Sequence, residues 1–235
     1  MTPHFDQIWV YLAASPLLGL TITLIAYQLA LIVHRRSGNH PLANPVLIAV
    51  AVLVCFLMAT GTRYETYFAG AQFVHFLLGP ATVALAVPLY QHFNKVRAMR
   101  WPLIAGLLSG SVTAVVSAVA VARFFGASTA SQLSLAPKSV TTPIAMGVAE
   151  RIGGIPSLTA VLVIVTGILG AVGARYVFDA MKIADPAIRG FAIGIASHGI
   201  GAARAFQVNQ QSGAFAALAM GLNGALTAFL LPLLM

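Results

Sequence analysis

The segment Leu135-Ala-Pro-Lys-Ser-Val-Thr-Thr-Pro-Ile-Ala-Met146 decides how this chain folds, because it places a lysine and three hydroxyl side chains between two prolines within an apolar sequence. Pro137 and Pro143 each remove a backbone donor and interrupt a continuous helix. In lipid, backbone groups freed in this way must face protein or a water-filled cavity. The segment therefore predicts a broken helix, and the N-terminus of the half-helix that follows it would attract an anion.

The overall composition indicates an integral membrane protein. Hydrophobic residues make up 59% of the chain and charged residues only 8%, whereas soluble domains usually carry roughly 25% charged residues. A helix needs about 20 residues to cross a bilayer, so the 235 residues have room for about six to eight hydrophobic elements. We therefore expect an all-α, polytopic fold in which residues 1–235 form a single membrane domain.

The basic residues are distributed as membrane topology requires. The formal net charge is +8, but Lys and Arg are scattered over short loops and segment ends, without the clustering that a nucleic-acid surface would show. Arg35 and Arg36 follow the first hydrophobic run, and Lys95, Arg97 and Arg100 follow the third. Both loops are therefore predicted to be cytoplasmic, and we expect no nucleic-acid partner.

Residues 137–150 are too few for a full crossing, so we predict that they form a re-entrant element after an external loop at residues 124–134. The next crossing, residues 155–178, then runs inward and puts Arg175, Lys182 and Arg189 on the cytoplasmic side. A true crossing at residues 137–150 would leave these three cations outside, against the usual charge bias.

A second interrupted element is predicted at residues 186–206, and the remaining hydrophobic elements at residues 8–33, 46–61, 73–90, 102–121 and 213–234. Gly79-Pro-Ala-Thr-Val83, with its helix break at Gly79 and Pro80, resembles Ala136-Pro-Lys-Ser-Val140. Broken elements in corresponding positions of two halves are typical of inverted-repeat transporters, whose binding site lies where the repeats meet. We therefore expect a transporter-like fold.

Lys138 is the first candidate binding residue, because a lysine at membrane depth costs at least about 2.5 kcal/mol and faces the protein interior or water. Together with Ser139, Thr141 and Thr142 it offers a carboxylate one charge, hydroxyl donors and free backbone amides. The other interpretation is that Lys138 lies near the lipid headgroups and extends its ammonium group into them.

Ser197, His198 and Arg204 form a second candidate cluster, in which Gly199 and Gly201 permit either a close backbone approach or the positive φ that an unwound segment requires. An arginine can bind a carboxylate through two parallel hydrogen bonds, and a histidine with a pKa near 6.5 can carry a proton if transport is proton-coupled. The alternatives are an arginine at the membrane surface and a hydrogen-bonded core histidine.

Asn223 is a polar residue within the last apolar run, and it would bind either the substrate or a neighbouring helix. Cys55 is the single cysteine and lies in an apolar run, where we expect it to pack in the core. No metal-ligand spacing and no nucleophile with a base and an orienting residue are recognisable, so the sequence predicts neither an enzyme nor a metal site.

The chain resembles the LrgB/CidB family of bacterial inner membrane proteins, and the plastid glycolate/glycerate transporter is similar over the same region. The resemblance is carried by ordered motifs that include Ala196-Ser-His-Gly-Ile-Gly-Ala-Ala-Arg-Ala205 and Ala219-Met-Gly-Leu-Asn-Gly224, with others at residues 78–90, 134–146 and 153–160. It covers residues 73–235, whereas the N-terminal helices within residues 1–72 carry little of the signature.

The resemblance implies two kinds of function. Family members are described as antiholin-like proteins that modulate murein hydrolase export and autolysis with a small holin-like LrgA/CidA partner. The plant relatives exchange glycolate and glycerate, and some bacterial relatives are linked to pyruvate uptake. The family most often carries an acidic residue between Gly147 and Glu150, so the glycine at position 147 departs from the pattern and weakens any ion-coupling role there.

From these observations we expect a multi-pass carrier in the bacterial inner membrane that moves small monocarboxylates or 2-hydroxy acids, such as glycolate, glycerate, lactate or pyruvate, by alternating access. Lys138 and Arg204 would bind the carboxylate, and a proton or sodium ion would couple its transport. We also expect the protein to form a homo-oligomer. The alternative function is an antiholin-like regulator that assembles with a holin-like partner.

Overall fold

The computed structural model of the chain describes residues 16–40 and 43–235. In these residues it is α-helical without strands, and five helical stretches are long and apolar enough to cross a membrane. These stretches are Leu17–Arg36, Tyr64–Gln91, Arg100–Phe124, Pro156–Ala180 and Gln210–Leu234. The predicted all-α, polytopic membrane fold is therefore confirmed. Residues 8–15 of the first predicted crossing lie outside the described part.

The chain divides into two compact units, Met1–Ala84 and Leu85–Met235. The first contains α1 (Pro16–Arg36), α2 (Pro45–Thr60), α3 (Tyr64–Phe76) and α4 (Leu78–Ala84). Helices α1 and α3 approach closely, since a Cβ added to Gly19 would lie 2.7 Å from the backbone oxygen of Tyr67. The Thr23 and Tyr67 hydroxyls lie 2.7 Å apart across the same interface.

Two sequence-based predictions about the first unit were wrong. Cys55 is exposed on α2 and does not pack in a core. An apolar residue can be exposed in this way where its helix face is directed at lipid. The helix break expected at Gly79 and Pro80 lies instead at Leu77, before α4 begins. Pro80 falls in the first turn of α4. Backbone N–H groups in the first turn have no intrahelical acceptor, so a proline there removes no hydrogen bond from the helix.

The second unit contains α5 (Ala86–Gln91), α6 (Phe93–Ala98), α7 (Arg100–Phe124), α8 (Thr129–Leu135), α9 (Thr142–Arg151), α10 (Pro156–Ala180), α11 (Pro186–Val208) and α12 (Gln210–Leu234). Asp185 starts α11, since its side chain accepts hydrogen bonds from the backbone amides of Ala187 and Ile188. Asn209 starts α12 in the same way.

Residues 129–151, comprising α8, the connection at residues 136–141 and α9, form a hairpin that we call the first hairpin. The chain folds back on itself here, since Ala136 and Val148 belong to one hydrophobic cluster and Val140 and Ala145 to another. At its base, the Ser134 hydroxyl accepts a hydrogen bond of 2.7 Å from the amide of Ile155. The chain reversal that the predicted re-entrant element requires is thus present, and α8 occupies part of the expected external loop.

Helix α11 forms the second hairpin, residues 186–208, because its backbone reverses at His198, where φ is 42° and ψ is −132°. Ile193 packs against Ala202 and Ala205 in one hydrophobic cluster. In a straight helix Ile193 and Ala205 would be roughly 18 Å apart, at about 1.5 Å per residue. The second interrupted element predicted from the sequence is therefore also a hairpin.

The two hairpins enter the second unit from opposite ends. Lys95, shortly before the start of α7, pairs at 2.9 Å with Asp185 at the base of the second hairpin. The first hairpin follows the other end of α7, after Phe124. The ion pair also puts the loop near Lys95 and the loop near Asp185 at the same end, as the predicted cytoplasmic location of both requires.

Candidate functional site

The innermost parts of both hairpins meet at Asn223, in the middle of α12. Its side-chain amide donates hydrogen bonds to the carbonyl oxygens of Ser139 in the first hairpin, at 3.3 Å, and Ile195 in the second, at 3.1 Å. Its Oδ1 accepts a hydrogen bond of 2.5 Å from the Ser111 hydroxyl on α7. Asn223 is only 1% exposed, so it joins three elements around the centre of the unit.

The first cluster of predicted binding residues lies at the tip of the first hairpin. Lys138 is half-buried, and its ammonium group donates a hydrogen bond of 3.3 Å to the Ser139 hydroxyl. Thr141 precedes the first residue of α9, Thr142, and both are half-buried. Lys138 and Ser139 are thus in contact, and Thr141 and Thr142 follow them at the start of α9.

The predicted effect of the two prolines is only partly found. Pro137 lies in the connection between α8 and α9, where the helix is broken. Pro143, however, is one of the first residues of α9. A proline there starts a helix, because its fixed φ suits the first turn and its missing donor would have no intrahelical partner.

A small void separates this tip from α7 and α12. It measures about 10 Å³, and the polar residues around it are Ser111, Ser139, Asn223 and Thr227. A volume of about 10–15 Å³ is the smallest that holds one water molecule. The void is too small for a carboxylate, so the tip of the first hairpin is packed closely against α7 and α12.

The second predicted cluster is divided by the structure. His198 is buried at the tip of the second hairpin, and its Nε2 donates a hydrogen bond of 3.0 Å to the carbonyl oxygen of Val163 on α10. The neighbouring Ser197 is fully buried, yet its hydroxyl has no hydrogen-bond partner within residues 16–40 and 43–235. This geometry agrees with the hydrogen-bonded core histidine that was the alternative interpretation of His198.

One of the two roles predicted for the glycines of this hairpin is found. The positive φ belongs to His198 and to neither Gly199 nor Gly201, whereas the close backbone approach occurs at Gly201. A Cβ on Gly201 would lie 2.6 Å from the Cβ of Ser197 and 2.9 Å from the carbonyl oxygen of Ile193. Gly201 is therefore needed because the two arms of the hairpin pack closely, and not because of its φ angle.

Arg204 lies in the returning arm of the second hairpin, where it lines a cavity of about 190 Å³ between α10, α11 and α12. Two further arginines line the same cavity, Arg175 from α10 and Arg189 from the entering arm. Lys138 is not among its lining residues. The structure thus groups Arg204 with other arginines rather than with the lysine that was expected to share its carboxylate.

Sequence reasoning used Arg175 and Arg189 only to orient the membrane crossings, and it missed their convergence with Arg204. These residues are separated by up to 29 positions, and only the chain reversal at His198 brings them to one cavity.

In the described ranges, residues 16–40 and 43–235, no group of His, Cys, Asp or Glu side chains could hold a metal ion.

Comparison with known proteins identifies the family. The model of the LrgB-like family matches residues 23–235, so the similarity begins well before the motif-bearing region at residues 73–235. Proteins named "Antiholin-like protein LrgB" from Bacillus mycoides (strain KBAB4) and Bacillus cereus (strain B4264) are each 31% identical over 222 residues, covering 94% of this chain and 96% of theirs. No solved structure matches this chain. With its multi-pass membrane fold and this near full-length similarity, the chain belongs to the LrgB-like family.

Proposed function

We propose that this chain is an antiholin-like protein of the bacterial cytoplasmic membrane, which restrains autolysis together with a small holin-like partner of the LrgA/CidA type. The observation that carries the proposal is 31% identity to proteins named antiholin-like over 94% of the chain and 96% of the relative. Similarity of this extent covers nearly the whole length of both proteins. The proposal includes no catalytic step.

The test is deletion of the gene from its host, followed by measurement of detergent-induced autolysis and of exported murein hydrolase by zymography. We expect faster lysis in the deletion strain and restoration by the wild-type gene. Lys138→Met is the informative variant, because the regulator acts through contacts with its partner and should tolerate loss of an interior charge. An unchanged lysis rate after deletion would contradict the proposal, as would failure of a holin-like partner to co-purify.

A second candidate function, carriage of small carboxylates by alternating access, is favoured by the arrangement of the hairpins. Two re-entrant hairpins from opposite ends meet at Asn223 through hydrogen bonds to Ser139 and Ile195. Interrupted helices that meet near the middle of the membrane are typical of secondary transporters. Lys138, Thr141 and Thr142 at the first tip, with Ser197 and His198 at the second, are the residues proposed to face a substrate when the tips separate, with a proton or sodium ion as the coupling ion.

Uptake of labelled glycolate, lactate and pyruvate into proteoliposomes tests the carrier function. We expect Lys138→Met to abolish uptake of whichever substrate is carried, while Lys182→Met, an exposed cation outside both hairpins, retains it. Absence of uptake by a folded wild-type protein would eliminate the carrier function and leave the antiholin-like function intact. If the protein is a carrier and not a regulator, Lys138→Met should change both the rate of lysis and the uptake of substrate.

A further inference from the structure

Three arginines converge on one cavity at the end of the second unit that carries the Lys95–Asp185 ion pair. The cavity measures about 190 Å³ and is lined by Arg175, Arg189 and Arg204 together with the buried Ser212 of α12. We infer that this arginine cavity binds a phosphate group, carried either by the headgroup of an anionic phospholipid or by a free phosphate ion. The inference is independent of both functions proposed above.

The charges around the cavity favour an anion. Asp179 pairs with Arg189 and, at 3.6 Å, with Arg175. The carboxylate of Asp179 is thus shared by two guanidinium groups, so Asp179, Arg175 and Arg189 together keep one net positive charge. Arg204 adds a third guanidinium group to the lining of the same cavity. An anion bound there would offset the positive charge that Asp179 leaves on Arg175 and Arg189.

Because the basic side chains are arginines, specific binding of a phosphate is favoured over a general electrostatic attraction for any anion. The planar guanidinium group presents its donors in a fork that matches two oxygens of a phosphate. Arg189 is held in place because its Nε donates to the carbonyl oxygen of Ile183, at 2.5 Å, and its Nη2 to Asp179. Arg204 likewise donates from Nη1 to the side-chain oxygen of Gln207, at 3.1 Å. Donors already ordered by other contacts lose little conformational freedom on binding.

The rest of the lining favours a lipid as the source of the phosphate. Apart from the arginines and Ser212, the cavity is bounded by apolar side chains, among them Phe178, Ile193 and Val208. Basic pockets between transmembrane helices on the cytoplasmic side are typical binding sites for anionic headgroups. The charge bias places this end of the unit on the cytoplasmic side, so a phospholipid of the inner leaflet can reach it.

The test measures the thermal unfolding of the purified full-length protein in a neutral detergent while phosphatidylglycerol, phosphatidylcholine or inorganic phosphate is added. Wild type is compared with Arg175→Gln, Arg204→Gln and the matched control Lys182→Gln. The control removes one positive charge from an exposed side chain near the same end of α10, and it does not line the cavity. Arg175→Gln is the variant least disturbing to the fold, since the Arg175 side chain is 67% exposed.

We expect phosphatidylglycerol to stabilise wild type and Lys182→Gln in a saturable way, with apparent affinity falling roughly tenfold in each arginine variant, as loss of a charge-assisted hydrogen bond predicts. Stabilisation by phosphatidylglycerol alone identifies a lipid headgroup, whereas an equal effect of inorganic phosphate identifies the free ion. Equal weakening in Lys182→Gln would overturn the inference in favour of diffuse surface charge. Equal stabilisation by phosphatidylcholine, or by none of the three additions, would overturn it as well.

Discussion

The side-chain amide of Asn223 on α12 lies 3.3 Å from the carbonyl oxygen of Ser139, at the tip of the first hairpin. The same nitrogen lies 3.1 Å from the carbonyl oxygen of Ile195, three residues before the reversal in the second hairpin. One buried side chain therefore forms hydrogen bonds to both hairpins. Separation of the tips, which alternating access would require, has to break at least one of these hydrogen bonds.

We expect Asn223→Ala to destabilise the protein by about 1–3 kcal/mol, because it leaves the buried hydroxyl of Ser111 and two buried carbonyl oxygens without their partner. The measurement is the midpoint of thermal unfolding in detergent. Ser109→Ala is the control, since the exposed Ser109 hydroxyl donates hydrogen bonds to carbonyl oxygens of its own helix, those of Ala105 and Gly106. Equal midpoints for Asn223→Ala and wild type would contradict the central role of this residue.

Two glycines of α10 form a matched pair for the packing of the second hairpin. A Cβ on Gly170 would collide with the Ser197 hydroxyl, whereas a Cβ on Gly173 meets nothing within 4 Å. Gly170→Ala should therefore destabilise the protein by about 1–3 kcal/mol through overpacking. Gly173→Ala should stabilise it by up to about 1 kcal/mol, because alanine favours a helix more than glycine does. The unfolding midpoints of the two variants should thus move in opposite directions, and a shared direction would show that α10 does not pack against Ser197.

The Lys95–Asp185 pair predicts a dependence of stability on acid pH. The hydrogen bond from Lys95 is the main reason that the pKa of Asp185 lies below its ordinary value, and the amides of Ala187 and Ile188 add to the effect. Because the folded pKa is lower than the unfolded one, the stabilisation is complete above the unfolded pKa of about 3.9 and is lost as the pH falls through the folded pKa. The pair is partly exposed, so its contribution should not exceed about 1 kcal/mol.

Two variants of Asp185 separate its charge from its role at the start of α11. Asp185→Asn keeps an acceptor for the backbone amides and should remove only the acid-dependent part of the stability. Asp185→Ala should lower the free energy of unfolding by about a further 0.5–2 kcal/mol at every pH, because the helix loses its N-terminal cap. Unfolding midpoints measured across the acid range would contradict this assignment if Asp185→Asn and wild type lost stability in parallel.

Cysteine labelling tests the direction of the first hairpin. In a Cys55→Ser background, we expect Ser128→Cys and Glu150→Cys to react with a membrane-impermeant maleimide from the same side of intact cells, because both residues are exposed and lie at the two ends of one hairpin. Asn94→Cys and Lys182→Cys, exposed near the opposite end of α7, should react only after the membrane is opened. If Ser128→Cys and Glu150→Cys reacted from different sides, residues 129–151 would be a crossing and not a hairpin.

Local signals in the sequence were sufficient to predict the broken elements. The short length between Pro137 and Glu150, and the charge bias of Arg175, Lys182 and Arg189, together required a re-entrant segment. The sequence did not predict α8, because residues 129–135 are polar by the standard of a membrane helix. It also gave the wrong residue for the second reversal, since a positive φ is expected at glycine and here occurs at His198.

Hydrophobic length, charge bias and the positions of proline determined that the chain is a multi-pass membrane protein with two interrupted elements, because these properties act along the chain and need no partner. Only the tertiary structure decided which polar residues meet. It separated Lys138 from the Arg204 cavity, joined Arg204 to Arg175 and Arg189, and made Asn223 the contact between the hairpins. The physical reason is that these contacts depend on where the backbone reverses, and a reversal brings together residues whose distance along the sequence carries no signal of their proximity.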